Sequence, residues 1–244
     1  MGTNGKLIVC EGCDASGKST QIELIKKYFE TNQLIYKYIH FPIYDGNESG
    51  SVISAYLRGE YGDINNVDPI FVANIYAMNR YQFLPTLQKH LLDNDVVLLD
   101  RYVFSNMAYQ GAKYDTEAQT QIMRDWINEY EFGFLELPYP NLNIFFDVPI
   151  DLIESRLKNK RKGDDRKYLK GKIDIHEKDI EFQKKVRENY LALQKYQDYK
   201  IVQCGEINTN EQGKEYLTCY SPDEIFFKYK KYIDCVLFNK PIIS

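Results

Sequence analysis

Short apolar runs alternate with amphipathic segments along the whole chain. VVLLD (96–100) is apolar at nearly every position, which is typical of a parallel strand that is covered on both faces. Other runs also have the composition of strands, and segments with helical periodicity separate them. This alternation predicts one doubly wound α/β domain that spans residues 1–244. The other predicted strands are 6–10, 34–40, 142–148 and 199–203.

The predicted helices begin and end at recognisable signals. A long helix follows Asp68, which has the position of an N-cap, and Pro69 in the first turn. Pro85 is expected to kink or end this helix, because proline removes a backbone donor and clashes with the preceding turn. The other predicted helices cover residues 18–32, 51–59, 116–130, 149–159, 176–196 and 221–238.

The composition indicates an ordinary globular protein. The chain has 244 residues, of which 44% are hydrophobic and 27% are charged, and its formal net charge is −4. This charge gives no reason to expect nonspecific binding to nucleic acid, and no stretch approaches the ~18 apolar residues of a membrane span. The cysteines are odd in number and unevenly spaced, unlike a disulfide framework. We therefore expect a cytoplasmic protein that has no nucleic-acid or membrane partner.

The segment after the first strand has the pattern of a phosphate loop. Gly12 and Gly17 bracket the loop, and Lys18 and Ser19 follow. The glycines let backbone N–H groups converge on phosphate oxygens, and the N-terminus of the next helix adds a partial positive charge. Lys18 is expected to reach the outer phosphates of ATP, and Ser19 is expected to bind Mg²⁺. The predicted ATP-binding residues are Gly12, Cys13, Asp14, Ala15, Ser16, Gly17, Lys18, Ser19 and Thr20.

Cys10 and Cys13 form a Cys-x-x-Cys pair in the same segment, which could instead indicate redox chemistry. A disulfide between them would distort the phosphate loop. Both cysteines are therefore interpreted as small packing residues.

A second candidate site lies in DRYVFSNMAYQG (100–111), which begins at the end of the third strand. In an open α/β sheet, the carboxyl end of this strand lies beside the phosphate loop. Asp100 could hold the water shell of a metal ion there, and the planar fork of Arg101 suits a phosphate dianion. The alternative is that the two side chains form only a structural salt bridge.

Tyr76 and Arg80 are one helical turn apart on the long predicted helix, so they share a face. An aromatic ring can stack on a nucleobase, and an arginine can read a carbonyl on the base edge. The alternative is a core tyrosine beside a solvated arginine.

Residues 156–172 are dense in lysine and arginine. Such a segment is usually a solvated loop. In a phosphotransferase it would form a mobile lid whose cationic side chains close on the transferring phosphoryl group and exclude water.

In combination, these segments resemble the thymidylate kinase family of nucleoside-monophosphate kinases. The resemblance covers roughly residues 6–203, and DRYVFSNMAYQG is its most specific part. It implies a P-loop NTPase-type sheet of five parallel strands, phosphate transfer from MgATP to dTMP, and a homodimer. The matching segments are CEGCDASGKSTQ, FP at 41–42, YLRG, YAMNR, DRYVFSNMAYQG, KRKGDDR and HEKDIEFQKKVRENY.

The resemblance also assigns roles toward dTMP. It implies that Tyr76 stacks on thymine and that Arg80 bonds a ring carbonyl. It further implies that Asp14 contacts the sugar 3′-hydroxyl, that Tyr109 crowds the 2′ position and that Gln110 meets the base edge. The predicted substrate-binding residues are Asp14, Phe41, Pro42, Leu57, Tyr76, Arg80, Arg101, Ser105, Tyr109 and Gln110.

The chain departs from the family pattern at three places. Near the FP segment, family members often carry arginine or glutamate, whereas this chain offers His40, which leaves that phosphate contact open. Ala15 occupies a phosphate-loop position where some members carry arginine, so we expect Arg161 and Arg166 of the lid to supply the missing charge. With Lys18 and Arg101, they are the catalytic residues that the resemblance implies. Residues 204–220 have the character of a surface insertion before the last helix, and we expect an exposed hairpin there.

The same residues are also compatible with other functions. A deoxynucleoside kinase also uses a phosphate loop, but it phosphorylates a hydroxyl and needs a carboxylate base, which Glu11 could supply. Another nucleoside-monophosphate kinase, or a nucleotide-binding protein with little turnover, is a further alternative. In the dTMP reaction, the acceptor phosphate is already anionic, so alignment and charge neutralisation would be the main requirements.

Overall fold

The computed structural model describes residues 5–64, 66–158, 164–172, 174–177, 179–196, 198–210, 212–213 and 215–242. The strands of its main sheet are β1 (Lys6–Glu11), β2 (Tyr36–His40), β3 (Val96–Asp100), β4 (Leu142–Asp147) and β5 (Tyr199–Gln203). They are parallel and follow the order β2-β3-β1-β4-β5. This arrangement confirms the predicted α/β fold with five parallel strands.

The register of the sheet aligns the carboxyl ends of its strands. Asp100, the last residue of β3, lies opposite Cys10 on one side and His40 on the other. Asp147, the last residue of β4, lies opposite Gln203 of β5. The segments that follow these strands therefore meet at one edge of the sheet, where ligands bind in open α/β folds.

Helices in two groups cover the sheet. One group pairs α1 with α8, and in the other α4 packs against α3, α5 and α7. A π-helix (Glu129–Phe134) continues α5, and short 3₁₀ helices cover Asp164–Leu169 and Leu193–Lys195. The helices are α1 (Lys18–Thr31), α2 (Glu48–Leu57), α3 (Pro69–Asp93), α4 (Val103–Gly111), α5 (Glu117–Asn128), α6 (Ile150–Lys158), α7 (Ile180–Ala192) and α8 (Pro222–Phe238).

Every residue of β3 and β4 is buried, as expected for strands covered on both faces, whereas the edge strands β2 and β5 are partly exposed. Within the described ranges, no helix has the length and apolar character needed to cross a membrane.

Side-chain caps fix where several helices begin. Asp68 accepts hydrogen bonds from the backbone N–H groups of Ile70 and Phe71, as its predicted N-cap position requires. Ser221 and Glu224 form a capping box at the start of α8.

Pro85 was expected to kink or end the long helix α3. The helix does not end there but continues to Asp93, because the buried side chains of Leu84 and Leu87 hold both sides of the proline in the core. The predicted start of helix α7 was wrong. Helix α7 does not start at residue 176, because Asp179 caps it by accepting a hydrogen bond from the N–H of Phe182.

The segment predicted to be an insertion contains two antiparallel strands, β6 (Gly205–Thr209) and β7 (Glu215–Cys219). These strands form a hairpin that is separate from the main sheet and precedes α8 directly.

Candidate active site

The phosphate loop lies between β1 and α1, as predicted, and its backbone forms a cavity. Gly17 has φ +83°, in the left-handed region that glycine adopts without strain. Ala15 has φ +60°, which is unusual for a residue with a Cβ atom. The cavity, called the loop cavity below, is lined by Cys13, Asp14, Ala15, Ser16, Gly17, Lys18, Ser19, Thr20, Arg101 and Arg156. All the predicted ATP-binding residues except Gly12 therefore line one cavity.

Lys18 and Asp100 form a buried ion pair beside this loop. The Nζ atom of Lys18 lies 2.5 Å from Oδ1 of Asp100. His40 Nδ1 lies 3.2 Å from Oδ2 of the same carboxylate, and the Tyr38 hydroxyl donates to that oxygen at 3.3 Å. Burial disfavours the ionised form of Asp100, but the charge of Lys18 and the contact with His40 outweigh it and hold the carboxyl pKa well below its ordinary value. Asp100 therefore stays anionic.

A second cavity lies on the β2–β3 side of the loop. It contains all ten of the predicted substrate-binding residues, and we call it the acceptor cavity. Phe41 and Pro42, which are joined by a cis peptide bond, form part of its wall after β2. The structure thus brings these residues together from five separate segments of the chain, and their individual roles toward a ligand stay predictions.

Arg101 lines both cavities. Its Nη2 atom donates to Asp14 Oδ1 at 2.7 Å and to the Tyr109 hydroxyl at 3.3 Å. The Tyr109 hydroxyl in turn donates to Asp14 Oδ2 at 2.9 Å. The residue has φ +66°, so a left-handed backbone and a charged network together direct its guanidinium to the boundary between the cavities.

Arg80 is more tightly constrained than the sequence indicated. Its Nε and Nη2 atoms each donate to Glu131 at 2.6 Å, and both side chains are buried. Asn106 also donates to Glu131, at 2.8 Å. This bidentate pair fixes the guanidinium plane at the cavity wall. Among the described residues, none accepts a hydrogen bond from Nη1, which leaves that nitrogen as the donor suited to a ligand.

Glu11 supports helix α4 rather than facing a cavity. Its fully buried carboxylate accepts hydrogen bonds from the hydroxyls of Ser105 at 2.5 Å and Tyr190 at 3.1 Å. It also accepts from the backbone N–H groups of Tyr102 at 3.0 Å and Ser105 at 3.2 Å. Burial raises its pKa despite these donors. The structure therefore gives no support to Glu11 as the base of a deoxynucleoside kinase.

The end of the predicted lid covers the acceptor cavity, which the sequence reasoning missed. The ring of Tyr168 stacks on Tyr44, with centroids 4.2 Å apart and planes 9° from parallel. The Tyr168 hydroxyl donates to Asp174 at 3.1 Å, and Arg58 Nη1 donates to the Tyr168 carbonyl at 2.7 Å. The tyrosine content of the FP and lid segments was the available signal. Of the predicted lid arginines, Arg161 lies outside the described residues, as does the side chain of Arg166.

Three titratable groups near this wall are shifted by burial. Burial, reinforced by the charge of Asp14, raises the pKa of Asp174 to about 7. Burial lowers the pKa of His176 to about 3, so its ring is neutral. Burial also lowers the pKa of Lys113 to about 7, and the Tyr56 hydroxyl bridges Lys113 Nζ (2.8 Å) and His176 Nε2 (3.2 Å).

Cys10 and Cys13 are free and buried. Burial raises the pKa of Cys13 to about 12 and that of Cys10 well above its ordinary value, so both are poor thiolate nucleophiles. The packing interpretation of this pair therefore agrees with the structure.

Comparisons with known proteins agree with this geometry. Residues 10–215 match the family model described as thymidylate kinase. A thymidylate kinase of Kosmotoga olearia is 33% identical over 194 residues, which cover 79% of this chain and 83% of that protein. A thymidylate kinase of Mycobacterium tuberculosis is 29% identical over 187 residues, which cover 77% of this chain and 85% of that protein. A solved structure of thymidylate kinase from Candida albicans is 23% identical in sequence and superposes with a TM-score of 0.71. The match covers 100% of this chain and 97% of the Candida albicans chain, and it supports the fold.

The family model covers most of the chain, and the alignment with the Kosmotoga olearia relative covers about four-fifths of each sequence. The chain therefore belongs to the thymidylate kinase family.

Proposed function

We propose that this protein transfers the γ-phosphoryl group of ATP to the phosphate of dTMP, which yields ADP and dTDP. The observation that supports this most directly is the position of Arg101, which lines both the loop cavity and the acceptor cavity. A cation shared by two adjacent nucleotide cavities suits a reaction in which one phosphate attacks another.

On the donor side, the loop cavity would hold the phosphates of ATP through backbone N–H groups and the N-terminus of α1. Lys18 lies at the boundary with the acceptor cavity, where it would stabilise charge on the outer phosphates. No general base is required, because the attacking phosphate of dTMP is already anionic. Catalysis therefore rests on alignment and on positive charge.

Ser19 and Asp100 suit the Mg²⁺ ion that accompanies ATP. They offer a hydroxyl and an ionised carboxylate, the hard oxygen ligands that Mg²⁺ prefers, and both line the acceptor cavity beside the loop. Mg²⁺ in phosphotransfer sites is usually bound through one or two protein oxygens together with substrate phosphates and water, and these two residues would supply the protein oxygens. When bound, the ion would neutralise charge on the phosphate oxygens.

On the acceptor side, Tyr76 would stack on thymine while Arg80 directs Nη1 to a ring carbonyl. Asp14 and Tyr109 are hydrogen-bonded to each other at the cavity wall, where the deoxyribose would lie. Their rigid pairing leaves little room to adapt, which would favour a sugar without a 2′-hydroxyl. Gln110 would meet the base edge.

Several features remain predictions from the sequence. Arg161 and Arg166 would bring further positive charge to the transferring group, since Ala15 provides none. The protein would act as a homodimer in the cytoplasm. Sedimentation of the purified protein can test whether it is a dimer.

A steady-state assay with MgATP and a panel of acceptors tests the proposed function. The panel comprises dTMP, dUMP, UMP, dCMP, dGMP, dAMP and thymidine. We expect dTMP to give the highest kcat/KM. A clear preference for UMP, dCMP or thymidine would contradict the proposal, and ATP binding without turnover would indicate a non-catalytic nucleotide-binding protein.

A further inference from the structure

His176 lines the acceptor cavity but takes no part in the reaction proposed above. Its main chain is fixed at both the amide and the carbonyl. The backbone N–H donates to Asp174 Oδ1 at 2.9 Å, and the backbone carbonyl accepts a hydrogen bond from Gln183 Nε2 at 2.9 Å. The residue is 5% exposed, so its ring is held as part of the cavity wall.

The two ring nitrogens of His176 are in different environments. Nε2 lies 3.2 Å from the hydroxyl of Tyr56, which lies outside the lining of the cavity. The same hydroxyl accepts a hydrogen bond from Lys113 Nζ at 2.8 Å. Because an ammonium has only donors, the hydroxyl proton of Tyr56 is directed to Nε2, which must accept it. The ring, which burial keeps neutral, therefore carries its own proton on Nδ1.

The Nδ1–H group of His176 is available to a ligand in the acceptor cavity. Among the residues that the structure describes, none forms a hydrogen bond with Nδ1. A buried donor without a partner is costly, and such groups are normally satisfied by protein, by water or by a ligand. Since His176 lines the acceptor cavity, the bound acceptor is the molecule expected to satisfy this donor.

The surroundings of the His176 ring indicate which part of the acceptor it meets. The rings of His176 and Tyr109 have centroids 5.1 Å apart. Gln183, which holds the His176 carbonyl, also donates to Asp14 Oδ2 at 3.2 Å. His176 is therefore next to the Asp14–Tyr109 pair, where the deoxyribose of dTMP would lie. A carboxylate accepts from a sugar hydroxyl, whereas an imidazole N–H donates to its oxygen, so the two groups suit a single hydroxyl.

We propose that His176 Nδ1–H donates to the oxygen of the 3′-hydroxyl of dTMP, and that Tyr56 and Lys113 are positioning residues that hold the ring in the required tautomer. This inference rests on the proposed function, since it names a contact to the same acceptor. Asp14 would accept the proton of that hydroxyl, so a 3′-hydroxyl satisfies both groups at once. An acceptor that lacks it leaves the buried N–H unpaired, which makes the contact a source of selectivity.

Calorimetric titration of His176→Leu with two acceptors tests the contact. The acceptors are dTMP and its 3′-deoxy analogue, 2′,3′-dideoxythymidine 5′-monophosphate. We expect the Kd for dTMP to rise about 5- to 10-fold, the scale of one lost hydrogen bond, and the Kd for the analogue to change less than about 2-fold. His90→Leu, the same substitution at a position outside the cavity, is the matched control and should change neither Kd.

The titrations are carried out at about pH 6. Burial lowers the pKa of Lys113 to about 7, so at this pH Lys113 is mainly an ammonium that can only donate to Tyr56.

Nitrogen-15 NMR of the histidine rings tests the tautomer in the unsubstituted protein. The chain has three histidines, so each ring can be assigned. We expect the His176 ring to be neutral, with its proton on Nδ1. Tyr56→Phe removes the hydroxyl that holds Nε2, so this variant should populate both tautomers and bind dTMP about 2- to 3-fold more weakly.

Three results would overturn the proposal. Equal losses of affinity for dTMP and the analogue in His176→Leu would mean that the ring only supports the cavity wall. An unchanged Kd for dTMP would mean that Nδ1 does not reach the acceptor. A His176 ring with its proton on Nε2 would exclude donation from Nδ1. If His176→Leu does not fold, Tyr56→Phe titrated with the same two acceptors provides the comparison.

Failure of the proposed function would be recognised separately. Wild-type protein that binds dTMP without phosphorylating it would reject the proposed function, whereas the titrations would still decide the contact of His176. Wild-type protein that does not bind dTMP would overturn the contact as well.

Discussion

The two cavities are built in opposite ways. The loop cavity consists mainly of one contiguous segment whose backbone forms the binding surface. The acceptor cavity consists of side chains from distant segments. The buried pair Arg80–Glu131 and the partly buried pair Arg101–Asp14 hold them in place. General phosphate binding can therefore be carried by a short motif, whereas recognition of one particular nucleotide depends on the whole fold.

Breaking the Arg80–Glu131 pair should have the largest effect. Glu131→Gln leaves the guanidinium of Arg80 buried without its counter-charge, which is expected to cost about 3–5 kcal/mol in the free energy of unfolding. Chemical denaturation measures this loss. Glu129→Gln, an exposed change on the same π-helix, should cost less than about 0.5 kcal/mol. Similar losses of unfolding free energy in both variants would mean that the Arg80–Glu131 pair does not stabilise the wall of the acceptor cavity.

Removing Arg101 should impair the use of both nucleotides, because this residue lines both cavities. Arg101→Ala is expected to lower kcat about 10²- to 10³-fold, the scale for loss of one donor to a developing charge. Arg101→Lys should restore only part of the rate, because an ammonium lacks the bidentate fork. Full activity of the lysine variant in a steady-state assay would show that a point charge is sufficient.

The lid arginines should affect the rate more than the acceptor affinity. Arg161→Ala and Arg166→Ala are each expected to lower kcat about 10²-fold, because the phosphate loop carries Ala15 and lacks an arginine of its own. The KM for dTMP should change much less. If both arginines can be replaced with kcat intact, the lid is only a solvated loop.

The carboxyl of Asp174, which lines the acceptor cavity, should make the free energy of unfolding depend on pH. Its pKa rises to about 7 in the folded protein, so the folded state holds a proton that the unfolded state has released. The free energy of unfolding should therefore fall as pH rises from about 4 to about 7, and the loss is complete above that range.

Asp174→Asn removes this titration. Between pH 4 and pH 7, the wild-type protein should lose about 2 kcal/mol or more relative to the variant, a conservative reading of the shift. Chemical denaturation of both proteins at several pH values gives this difference. His176 and Lys113 are present in both proteins, so their own titrations cancel when the two are compared. Parallel curves for the two proteins would show that Asp174 is not shifted.

The sequence was sufficient to predict the parts that depend on local pattern. The apolar run of β3 and the phosphate loop were both recognisable because their defining residues are contiguous. Helix α3 was extended beyond Pro85 by buried leucines, and this packing is not visible in local propensity.

The pairs that complete the acceptor cavity could not be predicted, because they join segments far apart in the chain. Glu131 contacts Arg80 across 51 residues, and it lies on a π-helix that has no clear sequence signal. Tyr168 reaches Tyr44 only because the end of the lid folds over the acceptor side. Such contacts depend on the arrangement of the sheet edge, which the motifs alone do not describe.

The separation of the two cavities is tested most directly by titrating Tyr76→Ala with each nucleotide. We expect dTMP binding to weaken by ~1–3 kcal/mol, the scale for loss of one base-stacking contact, while ATP binding is unchanged. Tyr81→Ala, at an exposed position on the same helix, should leave both affinities intact. Equal losses for dTMP and ATP would contradict the account, because Tyr76 would then be a core residue rather than part of a separate acceptor site.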